Sequence, residues 1–312
     1  MCGDNQTMVT EMVLIGFQNI HRFRIVLFCP TFLLYMFTFV ANLLIIVLVS
    51  TNYRLHCPMY FFISNLALAD LIINTSVVPN MLRIIWMEGD SMTINSCISQ
   101  LFVVYVTICA QCCILMVMSF DRYLAICLPL RYSAIMNMTV SIWLVFGSWL
   151  VGIVLILVEI IIISQLQFCS SNTIDHFFCD MAPLLALSSS EVHVLAWLDI
   201  SFNILVIFLP FVCIMLSYSH ILIVILKISS SKGKRKAFST CSSHLLVVGT
   251  YYGSLLGIYM SPSIENSHND NKLKSLLFVM LTPCTNPIIY SMRNKEIINT
   301  LKNFYSRRIS KQ

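Results

Sequence analysis

Charged residues are scarce in this sequence. Only 11% of its 312 residues are Asp, Glu, Lys or Arg and 58% are apolar, whereas soluble domains have about 25% charged and roughly 45–50% apolar residues. A water-facing surface built from so few charges would expose large apolar patches. The composition therefore excludes a soluble globule and predicts a protein whose apolar surface contacts lipid.

The sequence also lacks the common motifs of catalysis and metal binding. It has no pairing of CxxC with HxxxH, no glycine-rich phosphate loop and no GxSxG elbow. Most of the 13 cysteines lie in apolar stretches, where they act as small apolar side chains. We therefore expect a protein that is not an enzyme and has no metal or cofactor.

Long stretches without charge occupy most of the chain. A helix needs about 20 mostly apolar residues to cross the bilayer core, and six charge-free stretches plus a seventh, interrupted only by Asp70, fit that requirement. They are Ile25–Tyr53, Leu55–Leu82, Ser91–Phe120, Tyr132–Val158, Ile200–Leu226, Ala237–Ile264 and Ser275–Met292. This pattern predicts an all-α membrane protein, a seven-transmembrane helix bundle.

The distribution of Lys and Arg predicts the orientation of this bundle, because cytoplasmic loops are enriched in them. Most of the 19 lie in the loops after spans one, three and five and in the C-terminal tail. The other side has only Arg22, Arg24, Arg83, Lys272 and Lys274. The N-terminus is thus expected outside. A basic inner face reflects topology and anionic lipid, and gives no support for nucleic-acid binding.

The spans leave no room for a second domain. We expect one domain over 1–312, with an extracellular N-terminus at 1–24, the bundle at 25–290 and a cytoplasmic tail at 291–312. Residues 1–24 have no basic segment followed by an apolar one, so no cleaved signal peptide is expected. In the tail, apolar and basic residues alternate at helical spacing, which predicts a short amphipathic eighth helix on the membrane surface.

The inner end of span three reads Asp121-Arg122-Tyr123. One interpretation is a helix-end ion pair that extends to the membrane interface. The other is a latch, in which Asp121 holds Arg122 at rest and activation frees Arg122 to face a cytoplasmic partner.

Span seven contains Asn286-Pro287-Ile288-Ile289-Tyr290. A proline inside a helix removes a backbone hydrogen bond and creates a bend that can move. Alone this string is a weak signal. Its occurrence together with Asp121-Arg122-Tyr123 and Asp70, in this order on these spans, is much more specific.

These features resemble the rhodopsin-like G-protein-coupled receptors, and finer strings resemble the odorant (olfactory) receptors among them. The strings are Leu55-His56-Cys57-Pro58-Met59-Tyr60-Phe61-Phe62, His176-Phe177-Phe178-Cys179-Asp180, Ser217-Tyr218 and Lys236-Ala237-Phe238-Ser239-Thr240-Cys241. The resemblance covers nearly the whole chain. It implies an odorant receptor in the plasma membrane of olfactory cilia that activates a stimulatory heterotrimeric G protein and raises cyclic AMP.

The same resemblance implies roles for particular residues. Those expected to couple ligand binding to the G protein are Asp121, Arg122, Tyr123, Tyr218, Asn286, Pro287 and Tyr290. A non-olfactory rhodopsin-like receptor for another small ligand is the alternative. A transporter or channel would need polar residues along a through-path or internal repeats, and the sequence has neither.

Four cysteines lie on the predicted outer side, where disulfides can form. A bridge between Cys97, at the start of span three, and Cys179, in the long loop after span four, would hold that loop over the bundle. Relatives have a further cysteine at the position of Ser189, which pairs with the one at the position of Cys169. Because this chain has serine there, Cys169 is either a free thiol or pairs with Cys2. On this side Asn5 starts a glycosylation sequon, Asn5-Gln6-Thr7.

A polar cluster is expected in the bundle core around Asn42, Asp70, Gln111 and Asn286. Many relatives carry an acid at Gln111, which would favour a bound sodium ion. Gln111 weakens such a site. The alternative is a hydrogen-bonded cluster without metal.

The ligand is expected in the outer half of the bundle, between spans three, five and six. Helical spacing places eight apolar or aromatic candidates on facing sides: Val104, Tyr105, Ile108, Phe202, Val206, Tyr252, Leu256 and Tyr259. For any one of them, core packing or lipid contact is an equal alternative.

The candidate residues favour a small, mostly neutral volatile ligand. Val104 stands where the amine receptors of this superfamily have an aspartate. Tyr252, Tyr259 and Asn203 offer hydrogen bonds to an alcohol, aldehyde or ketone. Because Asp199 can pair with an ammonium group, an amine ligand is an alternative, although the position of Asp199 at a helix end predicts an exposed charge.

Overall fold

The computed structural model describes residues 10–16, 24–87, 89–168, 172–188, 193–259, 268–293 and 296–300. Within these ranges the chain is mainly helical. The α-helices are α1 Arg24–Thr51, α2 Pro58–Met87, α3 Ile94–Cys127, α4 Tyr132–Ile135, α5 Met138–Ile163, α6 Met181–Ala186, α7 His193–Phe202, α8 Leu209–Lys227, α9 Ser231–Tyr259 and α10 His268–Arg293. A 3₁₀ turn, Tyr53–Leu55, precedes α2, and a π-helical segment, Asn203–Phe208, joins α7 to α8.

Five of the spans are long and apolar enough to cross a membrane by length and composition alone. They are α1, α2, α3, α5 and the continuous rod Trp197–Lys227. The sixth and seventh, α9 and α10, have strongly polar first turns, and their apolar later turns pack against each other and the rest of the bundle. Seven long helices therefore form the bundle, as predicted.

The helices extend further than the charge-free stretches, because a helix continues past the first charge at the membrane surface. α2 runs through Arg83 to Met87, and α3 runs through Asp121 to Cys127. The prediction for span four was wrong at its start. Tyr132–Ile135 is a separate turn of helix, and the side chain of Asn137 accepts from the backbone N–H of Val140 at 2.9 Å to begin a new helix.

The third helix forms the centre of the bundle. Most of α3 is buried, whereas α1, α5 and α8 expose large apolar side chains such as Phe37, Val154 and Leu216 on their outer faces. Apolar outer faces are what lipid contact requires. Gly152 of α5 permits close packing on α3, since a Cβ there would lie 2.9 Å from the carbonyl oxygen of Val106.

A small sheet covers the predicted extracellular end, here called the outer end. Its strands are β1 Glu11–Leu14, β2 Asp90–Thr93 and β3 Thr173–Ile174, in the order β2-β1-β3, antiparallel in the first pair and parallel in the second. Met12 and Leu14 of β1 are buried. The sequence did not predict this sheet, which ties the N-terminal segment to the long outer loop.

In the predicted tail, residues 296–300 are helical and Ile297 is buried. The rest of the predicted eighth helix lies outside the described residues. So do Cys2, Asn5, Cys169 and Ser189.

Candidate ligand cavity and receptor switch

A cavity of about 100 Å³ lies in the outer half of the bundle, beneath the long loop. Its walls are mainly apolar. The apolar lining consists of Val104, Ile108, Phe178, Met181, Ala182, Leu255, Phe278 and Val279. Four polar side chains complete the wall: Tyr105, Asp180, Asp199 and Ser275.

The residues expected to bind ligand from span three line this cavity: Val104, Tyr105 and Ile108 occupy one face of α3. The ring of Phe202 lies beside that of Tyr105, with centroids 6.0 Å apart. Val206 is buried but does not line the cavity. The structure thus brings the span-three set together and places the span-five set directly behind it.

The span-six residues are arranged differently. Tyr252 is buried, with its ring centroid 4.9 Å from that of Phe211, and does not line the cavity. Leu256 is 45% exposed and faces the membrane side. Instead, Leu255, between them in sequence, reaches the cavity. The side chain of Tyr259 lies outside the described part of the structure.

Tyr252 and Leu256 line a groove of about 330 Å³ on the outer face between the fifth and sixth spans. Asn203 also lines this groove, and Leu255 contributes to both groove and cavity.

Asp199 departs from expectation. The sequence predicted an exposed charge at a helix end, but the side chain lines the cavity, and the Nδ2 of Asn203 donates to its Oδ2 at 3.3 Å. The long outer loop covers the bundle, so the outer end of this helix does not end in open solvent. Asp180, from the loop itself, accepts from the hydroxyl of Tyr105 at 2.8 Å.

The loop is anchored to the third helix. The expected disulfide between Cys97 and Cys179 is present. One turn below Cys97, Gln100 accepts from the backbone N–H of Cys179 at 3.0 Å and donates to the carbonyl of Ser76 at 2.7 Å. Sequence reasoning missed Gln100. A polar side chain one helical turn from a bridged cysteine is the signal that could have found it.

Lys272 also anchors the loop. The sequence predicted Lys272 on the outer side, and in the structure its side chain is buried, at 1% exposure. Its ammonium donates to the carbonyl of Gly16 at 2.7 Å and pairs with Asp175. A long apolar stem lets Lys be buried while its charge finds a partner. Nearby, burial lowers the pKa of His176, whose ring stacks on Phe177 at 4.6 Å.

At the inner end of α3, Arg122 pairs with Asp121, and its side chain is only 11% exposed. The guanidinium is thus largely shielded and lies against the acid that precedes it in sequence. Tyr132 of α4 donates to the other carboxylate oxygen at 2.7 Å. Burial, and then the charge of Asp121, raise the pKa of Tyr132, so its phenol keeps the proton that it donates.

The inner halves of spans five and six are joined by a second contact. The hydroxyl of Tyr218 and Nδ1 of His244 lie 2.7 Å apart, and both side chains are buried. Tyr123 faces the fifth span as well, with its ring 5.5 Å from that of His220. Tyr123 and Tyr218, two of the residues expected to couple to the G protein, therefore lie close to the Asp121–Arg122 pair.

The polar core is a hydrogen-bonded network. The amide of Gln111 donates to Oδ1 of Asp70 at 2.8 Å, and that of Asn286 donates to Oδ2 at 2.9 Å. Asn42 donates to the carbonyl of Pro283 at 3.0 Å in α10. Each oxygen of Asp70 thus accepts one amide donor, while Oδ1 of Asn42, Oε1 of Gln111 and Oδ1 of Asn286 are buried without a hydrogen-bond partner among the described residues.

Span seven has two prolines near these contacts. Both Pro283 and Pro287 lie inside α10, and each removes a backbone donor from the helix. Tyr290, one turn beyond Pro287, is buried.

Seven long helices, a disulfide-anchored loop over an outer cavity and a buried ion pair at the inner end of the third helix together define a seven-helix membrane receptor. A family model described as olfactory receptor matches residues 29–308. The chain is 40% identical to olfactory receptor 2A7 of Mus musculus over 300 residues, 96% of this chain and 97% of that protein. It is 40% identical to olfactory receptor 2A25 of Homo sapiens over 306 residues, 98% of this chain and 99% of that protein.

The chain therefore belongs to the olfactory receptor family. This confirms the resemblance drawn from the short strings. The protein is an odorant receptor of the G-protein-coupled class and a multi-pass membrane protein, not an enzyme.

Proposed function

We propose that this receptor binds small, mostly neutral volatile ligands in the outer cavity and activates a stimulatory heterotrimeric G protein, raising cyclic AMP. The observation that carries the proposal is the position of the cavity and the ion pair on one helix. Tyr105 lines the cavity, and Arg122 lies further along α3, about 25 Å away at 1.5 Å per residue.

The cavity supports a small ligand. An engineered cavity of about 150 Å³ in another protein holds a benzene ring, and this one measures about 100 Å³. Its walls favour an apolar carbon skeleton, since Val104, Ile108 and Phe278 offer only hydrocarbon surface.

The switch follows from a difference in affinity. A ligand activates only if it binds the state with an open inner face better than the resting state. In the resting state Asp121 and Tyr132 hold the inner end of α3, and the Tyr218–His244 contact joins spans five and six. Opening separates these contacts and exposes Arg122 to the G protein. The site of action is the plasma membrane of olfactory cilia.

The test is a cyclic AMP assay in cells that express the full chain with an olfactory stimulatory G protein, screened against a panel of volatiles. We expect a dose-dependent response that is lost in Arg122→Ala. Arg131→Ala is the matched control, because Arg131 is exposed on the same side of the membrane. An undiminished response in Arg122→Ala at equal surface expression would contradict the proposed coupling.

A second variant tests the cavity. Val104→Phe fills part of the volume, so the ligand response should fall at least about 10-fold in potency, since a misfit of 1.4 kcal/mol is worth that factor. Basal signalling should persist. Retention of full potency would show that the ligand binds outside this cavity.

A further inference from the structure

The polar part of the cavity wall has hydrogen-bond acceptors that lack donors. Oδ1 of Asp180 accepts from the hydroxyl of Tyr105 and the backbone N–H of Met181, but its Oδ2 has no donor among the described residues. Oδ2 of Asp199 accepts from Asn203, and its Oδ1 likewise has no donor within the described ranges. Each carboxylate thus keeps one free oxygen.

A third acceptor comes from the seventh span. Ser275 lines the cavity, is only 5% exposed, and its hydroxyl has no hydrogen-bond partner in the part of the chain that the structure describes. Buried polar groups in proteins nearly always have partners. Three acceptors from a loop and two different helices therefore face one small volume, and a primary ammonium group carries three N–H donors.

The charges around the cavity are not balanced by the protein. Among the described residues that line it, none is Lys, Arg or His. Lys272 is paired with Asp175, and burial lowers the pKa of His176. Glu159, a further acid, is buried, and its Oε2 has no partner among the described residues. The described lining of the cavity thus has two acids, Asp180 and Asp199, and no cationic side chain.

We propose that this cavity binds a small protonated amine, with Asp199 as its main counter-ion. Asp180 and Ser275 take the remaining N–H donors, and the carbon skeleton packs on Val104 and Phe278. The inference rests on the proposed receptor function and extends its ligand class. The size of the cavity suits about five non-hydrogen atoms, which isobutylamine has.

The experiment compares two ligands with the same skeleton, isobutylamine and isobutanol, in the cyclic AMP assay at pH 7.4. Asp199→Asn removes the charge at constant size. Asp90→Asn is the matched control, because Asp90 is an acid at the same end of the bundle that pairs with Arg83 outside the cavity. Surface staining of a tagged receptor normalises each response.

We expect isobutylamine to be the more potent ligand. Asp199→Asn should raise its half-maximal concentration by about 10-fold or more, the factor for a hydrogen bond to a charged group, and leave isobutanol within about 2-fold. Asp90→Asn should change neither. If Asp199→Asn fails to reach the surface, Ser275→Ala should weaken the amine selectively, by about 3-fold.

Two results overturn the inference: isobutylamine is inactive on surface-expressed receptor, or the Asp199 and Ser275 variants weaken both ligands equally. If a neutral volatile still activates the receptor, the proposed receptor function stands and only the proposal of an amine ligand fails. If no volatile of any class activates it, both proposals fail.

Discussion

The hydroxyl of Tyr132 donates a 2.7 Å hydrogen bond to Oδ1 of Asp121, and Oδ2 of the same carboxylate accepts from Nε of Arg122 at 2.9 Å. One acid thus joins the loop helix α4 to the arginine of α3. The carboxylate that pairs with Arg122 is thus also held by a residue outside the long helices of the bundle.

Removing that hydroxyl should raise signalling without ligand. Tyr132→Phe deletes a hydrogen bond to a charged acceptor, worth about 1.5–3 kcal/mol, and 1.4 kcal/mol shifts a two-state population about 10-fold. We expect basal cyclic AMP to rise several-fold at equal surface expression. Tyr35→Phe, on α1, is the control and should match the wild type. A basal signal at or below the wild-type level in Tyr132→Phe would show that the bond does not hold the resting state.

The parts of this molecule that the sequence predicted are those set by the bilayer and by local spacing. Charge-free stretches located the seven helices because a charge in lipid is costly. The helical period placed Val104, Tyr105 and Ile108 on one face, and all three line the cavity. Such features depend on a single helix and its solvent.

The parts that the sequence did not predict depend on contacts between distant segments. Burial of Lys272 requires the carbonyl of Gly16 and the carboxylate of Asp175, which are far away in sequence. The exposure of Asp199 depends on the loop above it. Leu255 and Leu256 are adjacent in sequence, so only the rotation of α9 in the bundle decides that Leu255 lines the cavity.

The polar core should be insensitive to sodium. The amides of Gln111 and Asn286 each donate to one oxygen of Asp70 and bring no second negative charge, so replacing sodium chloride by choline chloride should leave ligand potency and basal signalling of the wild type unchanged. Gln111→Glu replaces a donor by a second carboxylate, and two facing carboxylates need a proton or a cation. We expect sodium to change the basal signal of that variant.

The control for this effect is Gln111→Met, which removes the donor without adding charge. It should be less stable than the wild type but equally indifferent to sodium. If sodium changed the signalling of the wild-type receptor, a sodium ion would bind near Asp70 despite the amide donors of Gln111 and Asn286, and the prediction would be wrong.

The anchor of the outer loop should depend on Gln100 as well as on the disulfide. Gln100→Leu leaves the buried N–H of Cys179 without a partner, at a cost of about 1–3 kcal/mol, and also removes the hydrogen bond to the carbonyl of Ser76. We expect a lower melting temperature of the detergent-solubilised receptor and weaker ligand potency. Gln165→Leu, at an exposed position in the same loop, should leave both unchanged. Equal melting temperatures for the two variants would show that Gln100 does not anchor the outer loop.

The contact between α3 and α5 should tolerate no side chain at Gly152. A Cβ at this position would lie 2.9 Å from the carbonyl oxygen of Val106 and 3.1 Å from Cβ of Cys109, and the first of these is backbone that cannot rotate away. Gly152→Ala must therefore separate the two helices, at a cost of about 1–3 kcal/mol. Gly147, on the same helix, has nothing within 4 Å of its Cβ position.

Gly147→Ala is thus the matched control, and alanine should stabilise the helix there by up to about 1 kcal/mol. We expect the melting temperature to fall in Gly152→Ala and to stay constant or rise in Gly147→Ala. Because α3 carries both the cavity and Asp121, the displaced helix should also lower ligand potency in Gly152→Ala. A melting temperature for Gly152→Ala at or above that of Gly147→Ala would show that α3 and α5 do not pack at the distance described.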